Sequence, residues 1–359
     1  RSSRNRVFSL LMRGAYPARA RPSHRPIRAA ARYGARVSAT PSTTAHSNLV
    51  VFGYVLVFAS AALAAFNVVF ARLIIDTGVE PLQLSATRIY GGGLILLVFL
   101  IPVIRRIRRS HILPIVAFGV IGLVLGQGTA FIAFQDSDVA IVLVIVFTAP
   151  VFVTLYERVH LGARLPIHAY VAIVVAIVGV ALAVAGGGVG GMTLRGLVFA
   201  VISMVAYGVS VILAARLPTE LPPLARTAAS MVAAAAAFCV IVPPWTLPFG
   251  LLGATASFTG GLGFSMPLWV AVAFAVVIGS VGVFVTWVSG TSLVGAGASS
   301  VVGMAEPVLA AAVAWALLGQ DLHWVQVVGI GLTVAAILVV ELARIRTRRI
   351  DAPDAPVEL

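Results

Sequence analysis

Ten apolar runs, each bounded by turn residues or charge, set what this chain can fold into. They lie at roughly 49–70, 82–104, 112–134, 139–157, 167–186, 196–215, 224–243, 268–289, 298–317 and 325–343. Most have the roughly 17–25 residues that an α-helix needs to cross about 30 Å of hydrocarbon. The chain is 60% hydrophobic and 10% charged, where soluble domains run near about 25% charged. A water-soluble protein could not bury so much apolar surface. Alternation with a period of two does not recur over ten-residue segments, which excludes an outer-membrane barrel. The fold class is therefore an all-α polytopic membrane protein with ten transmembrane helices.

The net charge of +13 could suggest nucleic acid, but its distribution excludes that partner. Ten arginines precede residue 48, and most of the others flank apolar runs. With ten spans and the N-terminus inside, the inner segments also hold Arg105, Arg106, Arg108, Arg109, Arg158, Arg164, Arg216, Arg226, Arg344, Arg346, Arg348 and Arg349. The outer segments hold only Arg72 and Arg195. Arginine excess on one side sets orientation, so this split favours an even span count with both termini cytoplasmic. One span more or fewer would scramble it. Cys239 is the lone cysteine and cannot form an intrachain disulfide. Residues 1–48 are basic, free of acids and expected to be disordered. They read as a cytoplasmic tail, a misassigned upstream start or an organellar transit peptide.

The chain repeats itself. TAPVFVTLYERVHLGARL (148–165) aligns with AEPVLAAAVAWALLGQDL (305–322) at a constant shift of 157 residues. Pro150 then falls on Pro307, Val151 on Val308, Leu161 on Leu318, Gly162 on Gly319 and Leu165 on Leu322. Each block is preceded by three runs and followed by one. The expected domains are a basic segment 1–48, a first five-helix half 49–190, a second half 191–343 and a cytoplasmic tail 344–359. An odd span count per repeat makes the second half enter the membrane from the opposite side. Inverted repeats of this kind mark secondary transporters, with the substrate site between the halves near the midplane.

On these tokens, with LLGQ (317–320) and the second-span Arg88, the chain resembles the EamA-like members of the drug/metabolite transporter superfamily. The resemblance covers roughly residues 50–343. It implies a ten-helix secondary transporter, in many members an exporter of amino acids or other metabolites. It also implies peripheral packing of the helices that end each half and a central cavity lined by the others. The acid usual after the LG of each half is replaced by Ala163 and Gln320.

Glu306 and Pro307 stand near the middle of the ninth run. A charge at mid-helix costs about 2.5–3.5 kcal/mol on insertion scales, so the carboxylate should face protein or a watery cavity. Three roles are open: it binds a cationic substrate group, it is the protonatable group that couples transport to a proton gradient, or it bonds backbone freed by Pro307. Pro150 and Pro307 remove the amides that would bond the carbonyls of Val146 and Gly303, so each marks a hinge or a kink. Arg88 either snorkels to the interface or pairs with an acid or a substrate carboxylate. Asn67, Gln127, Tyr207, Thr286 and Trp287 are polar or amphipathic residues of the first, third, sixth and eighth spans, serving helix packing or a cavity wall. Glu157 with Arg158 reads as an interfacial pair, and His160 and His168 as interfacial. No Cys/His spacing suits a metal, no phosphate loop follows either GGG, and no cofactor is expected.

The expected function is alternating-access transport of a small metabolite, such as an amino acid or related compound, across the cell membrane. Efflux of drugs or amphipathic cations, or an organellar carrier, is the alternative. A membrane enzyme would need a nucleophile, a carboxylate pair or metal ligands at depth, and the chain has one central acid. A passive channel would not need the repeat. Expected partners are the small-molecule substrate, the bilayer and protons as coupling ion; a homodimer is compatible with the sequence.

Overall fold

A computed structural model describes residues 43–161, 167–186, 192–214, 216–258, 265–320 and 322–351. Residues 1–42, the 162–166 and 187–191 connections, the tail after Asp351 and the side chains of Glu157 and His160 lie outside the described residues, and with them the readings made there.

Seven helices are long and apolar enough to cross a membrane: Leu49–Asp76, Pro81–Arg106, Arg109–Asp136, Leu194–Ala214, Pro223–Ile241, Leu268–Val294 and Val301–Leu318. Shorter apolar helices lie at Val139–Val153, Tyr170–Val184 and Trp324–Val340. In chain order we label α1 (Thr43–Asp76), α2 (Pro81–Leu100), α3 (Arg109–Asp136) and α4 (Val139–Val146). Then follow α5 (Ala149–Leu161), α6 (Ile167–Gly186), α7 (Leu194–Ala214) and α8 (Pro223–Ile241). The rest are α9 (Leu268–Val294), α10 (Ala296–Gly303), α11 (Ala305–Leu318) and α12 (Trp324–Asp351).

Three features depart from the reading of uniform spans. The fourth and ninth runs are each two helices, parted at Phe147–Thr148 and at Met304. The loop near 244–267 carries regular structure where it is described: two 3₁₀ turns lead into β1 (Thr255–Ser257), which pairs antiparallel with β2 (Ser265–Pro267). Helix α1 starts at Thr43, inside the segment expected to be disordered.

Helices α3 and α9 each contain a π-helical stretch, Gly119–Gln127 and Val277–Gly282. The two overlap under the same shift of 157, and the contacts around them repeat. The Thr129 hydroxyl donates to the carbonyls of Leu125 and Gly126. The Thr286 hydroxyl donates to Gly282 and Val283, the shifted positions. From the first helix of the opposite half, Ser203 donates to Gly126 at 2.8 Å and Ser60 donates to Val283 at 3.0 Å. A side chain on Gly122 would run into Ser210, and one on Gly279 into Asn67. Extra carbonyl groups exposed by π geometry are thus satisfied across the half boundary.

These contacts also give direction. Along α1 and α9, Gly53 meets Val294, Ser60 meets Val283 and Asn67 meets Gly279, so the helices run antiparallel. Along α7 and α3, Gly196 meets Ser137, Ser203 meets Gly126 and Ser210 meets Gly122, again antiparallel. The helices that end the two halves, α6 and α12, pack on each other antiparallel: Gly179 lies against Thr333 and Gly329 against Ala183. Glycine at 179 and 329 lets two backbones touch where a side chain would hold them apart.

Packing is uneven along the bundle. At the end carrying Arg72 and Arg195, α1, α3, α4, α9 and α11 share one core with Ala256 and Phe258 of the hairpin region. Phe70 stacks on Phe274 and takes Phe258 edge-on. All eight residues of α4 are buried. At the other end, every residue from Val281 to Ser289 is half-buried.

Candidate functional site

The break at Met304 explains why an acid and a proline can share the ninth span. Met304 ends α10 and stands before α11, so Ala305, Glu306 and Pro307 form a first helical turn. First-turn amides have no intrahelical acceptor, so proline costs little there. The positive end of the helix dipole favours an acid at the same place. The matching break puts Pro150 second in α5. There the Thr148 amide and hydroxyl both donate to the Ile145 carbonyl, closing the turn.

Glu306 is half-buried. Among the described residues no hydrogen bond or ion pair reaches its carboxylate. The sequence reading in which it bonds freed backbone finds no such bond. One turn earlier, a side chain on Gly303 would lie 3.2 Å from the Trp287 indole. Trp287 thus packs on the last residue of α10, just before the α10–α11 joint. Thr286 precedes Trp287, but its hydroxyl is taken by its own helix.

A second cluster forms nearer the closed end. Arg88 is 4% exposed, which rules out snorkelling. Its guanidinium donates to the carbonyls of Ala275 at 3.3 Å and Gly279 at 3.0 Å, and stands 4.9 Å from the Phe131 ring centre. No acid pairs with it among the described residues. It is a strut from α2 to the π stretch of α9, with α3 behind it. Asn67 packs against the same Gly279, and its Oδ1 is buried without a partner.

Gln127 and Tyr207 lie in the mirror-related part of the bundle. Gln127 ends the π stretch of α3. Tyr207 on α7 is 41% exposed, with its ring 6.4 Å from Phe147 beside the α4–α5 break. The structure therefore brings Asn67 and Arg88 to the same Gly279, and sets Tyr207 beside Gly126, next to Gln127. Two cavities of about 280 Å³ lie elsewhere. One, between α11 and α12, is lined by Ala311, Ala312, Trp315, Leu322 and Val327. The other, between α4–α5, α6 and α7, is apolar apart from Thr148. None of the candidate residues lines either.

Sequence reading missed the polar clasp at the closed end. The Arg72 guanidinium donates to the carbonyls of Phe134 and Ser137 and pairs with Asp76 at 2.9 Å. Arg195 pairs with Asp136 at 2.8 Å. Ser137 bridges to Met192 and accepts from the Thr193 amide. Both arginines thus hold the α3–α4 turn. Burial pushes the Asp138 carboxyl above its ordinary value, and Arg72 partly offsets this. The signal was legible: Arg72 and Arg195 were the two arginines on the arginine-poor side.

The described residues include no group of three His, Cys, Asp or Glu that could hold a metal. The sequence model of the EamA-like transporter family matches residues 51–185 and again residues 194–342. No curated protein matches the chain. A solved structure described as "Crystal structure of protein" is 19% identical over 86% of this chain and 100% of its own, with a TM-score of 0.49; a likeness at that level carries no argument.

Proposed function

The chain belongs to the EamA-like transporter family, and on that premise we propose that it is a secondary transporter working by alternating access between two inverted five-helix halves. The family makes it a membrane transporter of the drug/metabolite type. The finer reading is that it moves a small metabolite, such as an amino acid or a related compound, outward across the cell membrane, with ten spans and both termini cytoplasmic. The observation that carries this reading is the exchange of contacts between α1–α9 and α7–α3. Equivalent helices run antiparallel and grip each other's π stretches through Ser60 and Ser203. A two-fold axis in the membrane plane produces that pattern, and it makes inward-open and outward-open states near-equivalent packings.

In this reading the structure is the state closed at the Arg72–Arg195 end. Opening there breaks the clasp on the α3–α4 turn. The α4–α5 and α10–α11 breaks are the hinges, because a span already parted at mid-membrane can bend without losing further backbone bonds. Candidate substrate or coupling residues are Glu306, Trp287, Thr286, Asn67, Gln127 and Tyr207, with Arg88 as an internal strut. Protons are the proposed coupling ion.

Two measurements test this. Single cysteines placed in the α2–α3 and α7–α8 connections should react with a membrane-impermeant thiol reagent from the same side, and one in the hairpin loop from the opposite side. Reaction of all three from one side would end the inverted reading. Pro307→Ala should slow turnover about tenfold while substrate affinity changes less than about twofold, since a rebuilt helix resists bending. Equal turnover in the two proteins would remove the hinge role.

A further inference from the structure

We propose that the joint between α2 and α3 is a docking surface for an anionic phospholipid. Arg105, Arg106, Arg108 and Arg109 hold its headgroup phosphate, and its acyl chains lie on the aliphatic side chains beside them. The inference goes beyond the transporter reading and depends on neither the direction nor the substrate of transport.

Four arginines fill four of five successive positions here, and all four are exposed. No acid pairs with any of them among the described residues. The α7–α8 connection brings Glu220 to this end, and Glu220 faces the His111 imidazole at 3.8 Å. Arginine excess alone would orient the chain in the membrane, and a loose loop serves that purpose. This segment is not loose. It begins as a 3₁₀ turn, Ile101–Arg106, whose Val103 is buried against Leu221 and Ala225 where α8 begins. Ile107 packs on the same cluster, and Ile107 and Arg108 have extended backbone. Side chains alternate along an extended segment. With Ile107 turned inward, Arg106 and Arg108 stand together on the outward side.

The joint lies where the two parts of a lipid meet. Arg106 ends the apolar span Pro81–Arg106, and Arg109 begins the span Arg109–Asp136. Val98, Ile101 and Ile104 before the arginines, and Ile112 and Leu113 after them, are each more than half exposed. In a bilayer these aliphatics face acyl chains, and the arginines beside them sit at headgroup depth. A guanidinium takes a phosphate through paired N–H bonds. A zwitterionic headgroup offsets its phosphate with its own ammonium. Arginines without acid partners therefore favour a headgroup of net negative charge.

Lipid binding to the purified full-length chain in detergent, counted by native mass spectrometry, tests this. The probes are phosphatidylglycerol and phosphatidylcholine with the same acyl chains, and glycerol 3-phosphate, which has the phosphate without the chains. Phosphatidylglycerol should bind at least about tenfold more tightly than phosphatidylcholine. It should bind at least about a hundredfold more tightly than glycerol 3-phosphate, because each buried methylene adds affinity. The combined variant Arg105→Gln, Arg106→Gln, Arg108→Gln and Arg109→Gln should weaken phosphatidylglycerol at least about tenfold, while glutamine at Arg344, Arg346, Arg348 and Arg349 should change it less than about twofold. Lysine at the four joint positions keeps the charge and should hold the affinity within about fivefold of wild type, which guards against a folding artefact. The proposal is overturned if wild type binds the two lipids equally or binds glycerol 3-phosphate as tightly as phosphatidylglycerol. It is also overturned if the joint glutamine variant binds phosphatidylglycerol unchanged, if the tail variant loses as much, or if the lysine variant loses as much as the glutamine one.

Discussion

Arg88→Leu is expected to lower the stability of the purified protein by about 2–4 kcal/mol, the scale of two buried carbonyl groups losing their donors. The Ala275 carbonyl lies just before the π stretch of α9 and the Gly279 carbonyl within it, where helical bonding is already disturbed. Neither can turn to water, because Arg88 is 4% exposed. Leucine fills much of the space beside Phe131, so the effect isolates the lost hydrogen bonds from a cavity. Lysine should recover less than half, since a point charge with a compact head cannot span two carbonyls a turn apart as a guanidinium does. Thermal unfolding followed by circular dichroism measures both variants. An Arg88→Leu protein as stable as wild type would show that α9 is held by packing alone and that the strut is idle.

Glu306→Gln is expected to abolish gradient-driven transport, by at least a hundredfold in initial rate. The amide keeps shape and polarity but cannot exchange a proton. No neighbouring acid can substitute, because Glu306 is the only carboxylate near mid-span in the candidate helices. Rates should be measured in proteoliposomes across external pH values with and without an imposed gradient. Glu306→Asp should keep the pH dependence with a shifted midpoint. If Glu306→Gln transports with the same pH profile as wild type, the carboxylate does not couple protons, and its role is confined to binding. Break geometry makes this residue suited to both tasks. Carried by a first helical turn and with no fixed partner among the described residues, the carboxylate is free to meet a proton or a ligand.

What could be read without coordinates was set by the solvent. Hydrocarbon demands long apolar helices, so run lengths revealed a polytopic membrane protein, of which seven helices are long and apolar enough to cross. The LG–Pro repeat at a shift of 157 anticipated that the helices Ala149–Leu161 and Ala305–Leu318 follow like breaks in the fourth and ninth runs. Glu306 stood out because a charge at that depth is costly anywhere.

Less accessible was how each polar residue is satisfied. Arg88 looked like an interfacial or ligand-binding side chain because its partners are main-chain carbonyls in another half, and carbonyls leave no trace in residue identity. The π stretches were invisible for the same reason: Gly119–Gln127 and Val277–Gly282 have ordinary apolar compositions, and their geometry is imposed by packing against α7 and α1. Thr286 looked available and is bonded to its own helix. Proline at 150 and 307 announced a disturbance, but whether it kinks a helix or parts it depends on the turn that precedes it.

By itself, then, the sequence determined that this chain lives in a bilayer, repeats once, and keeps one acid at depth, because length, charge and spacing are properties of the chain in any conformation. Tertiary structure decided which end is packed shut, which cation is sequestered and that the acid starts a helix. Those outcomes depend on which backbone and side-chain groups from distant spans meet, and only three-dimensional packing brings them together.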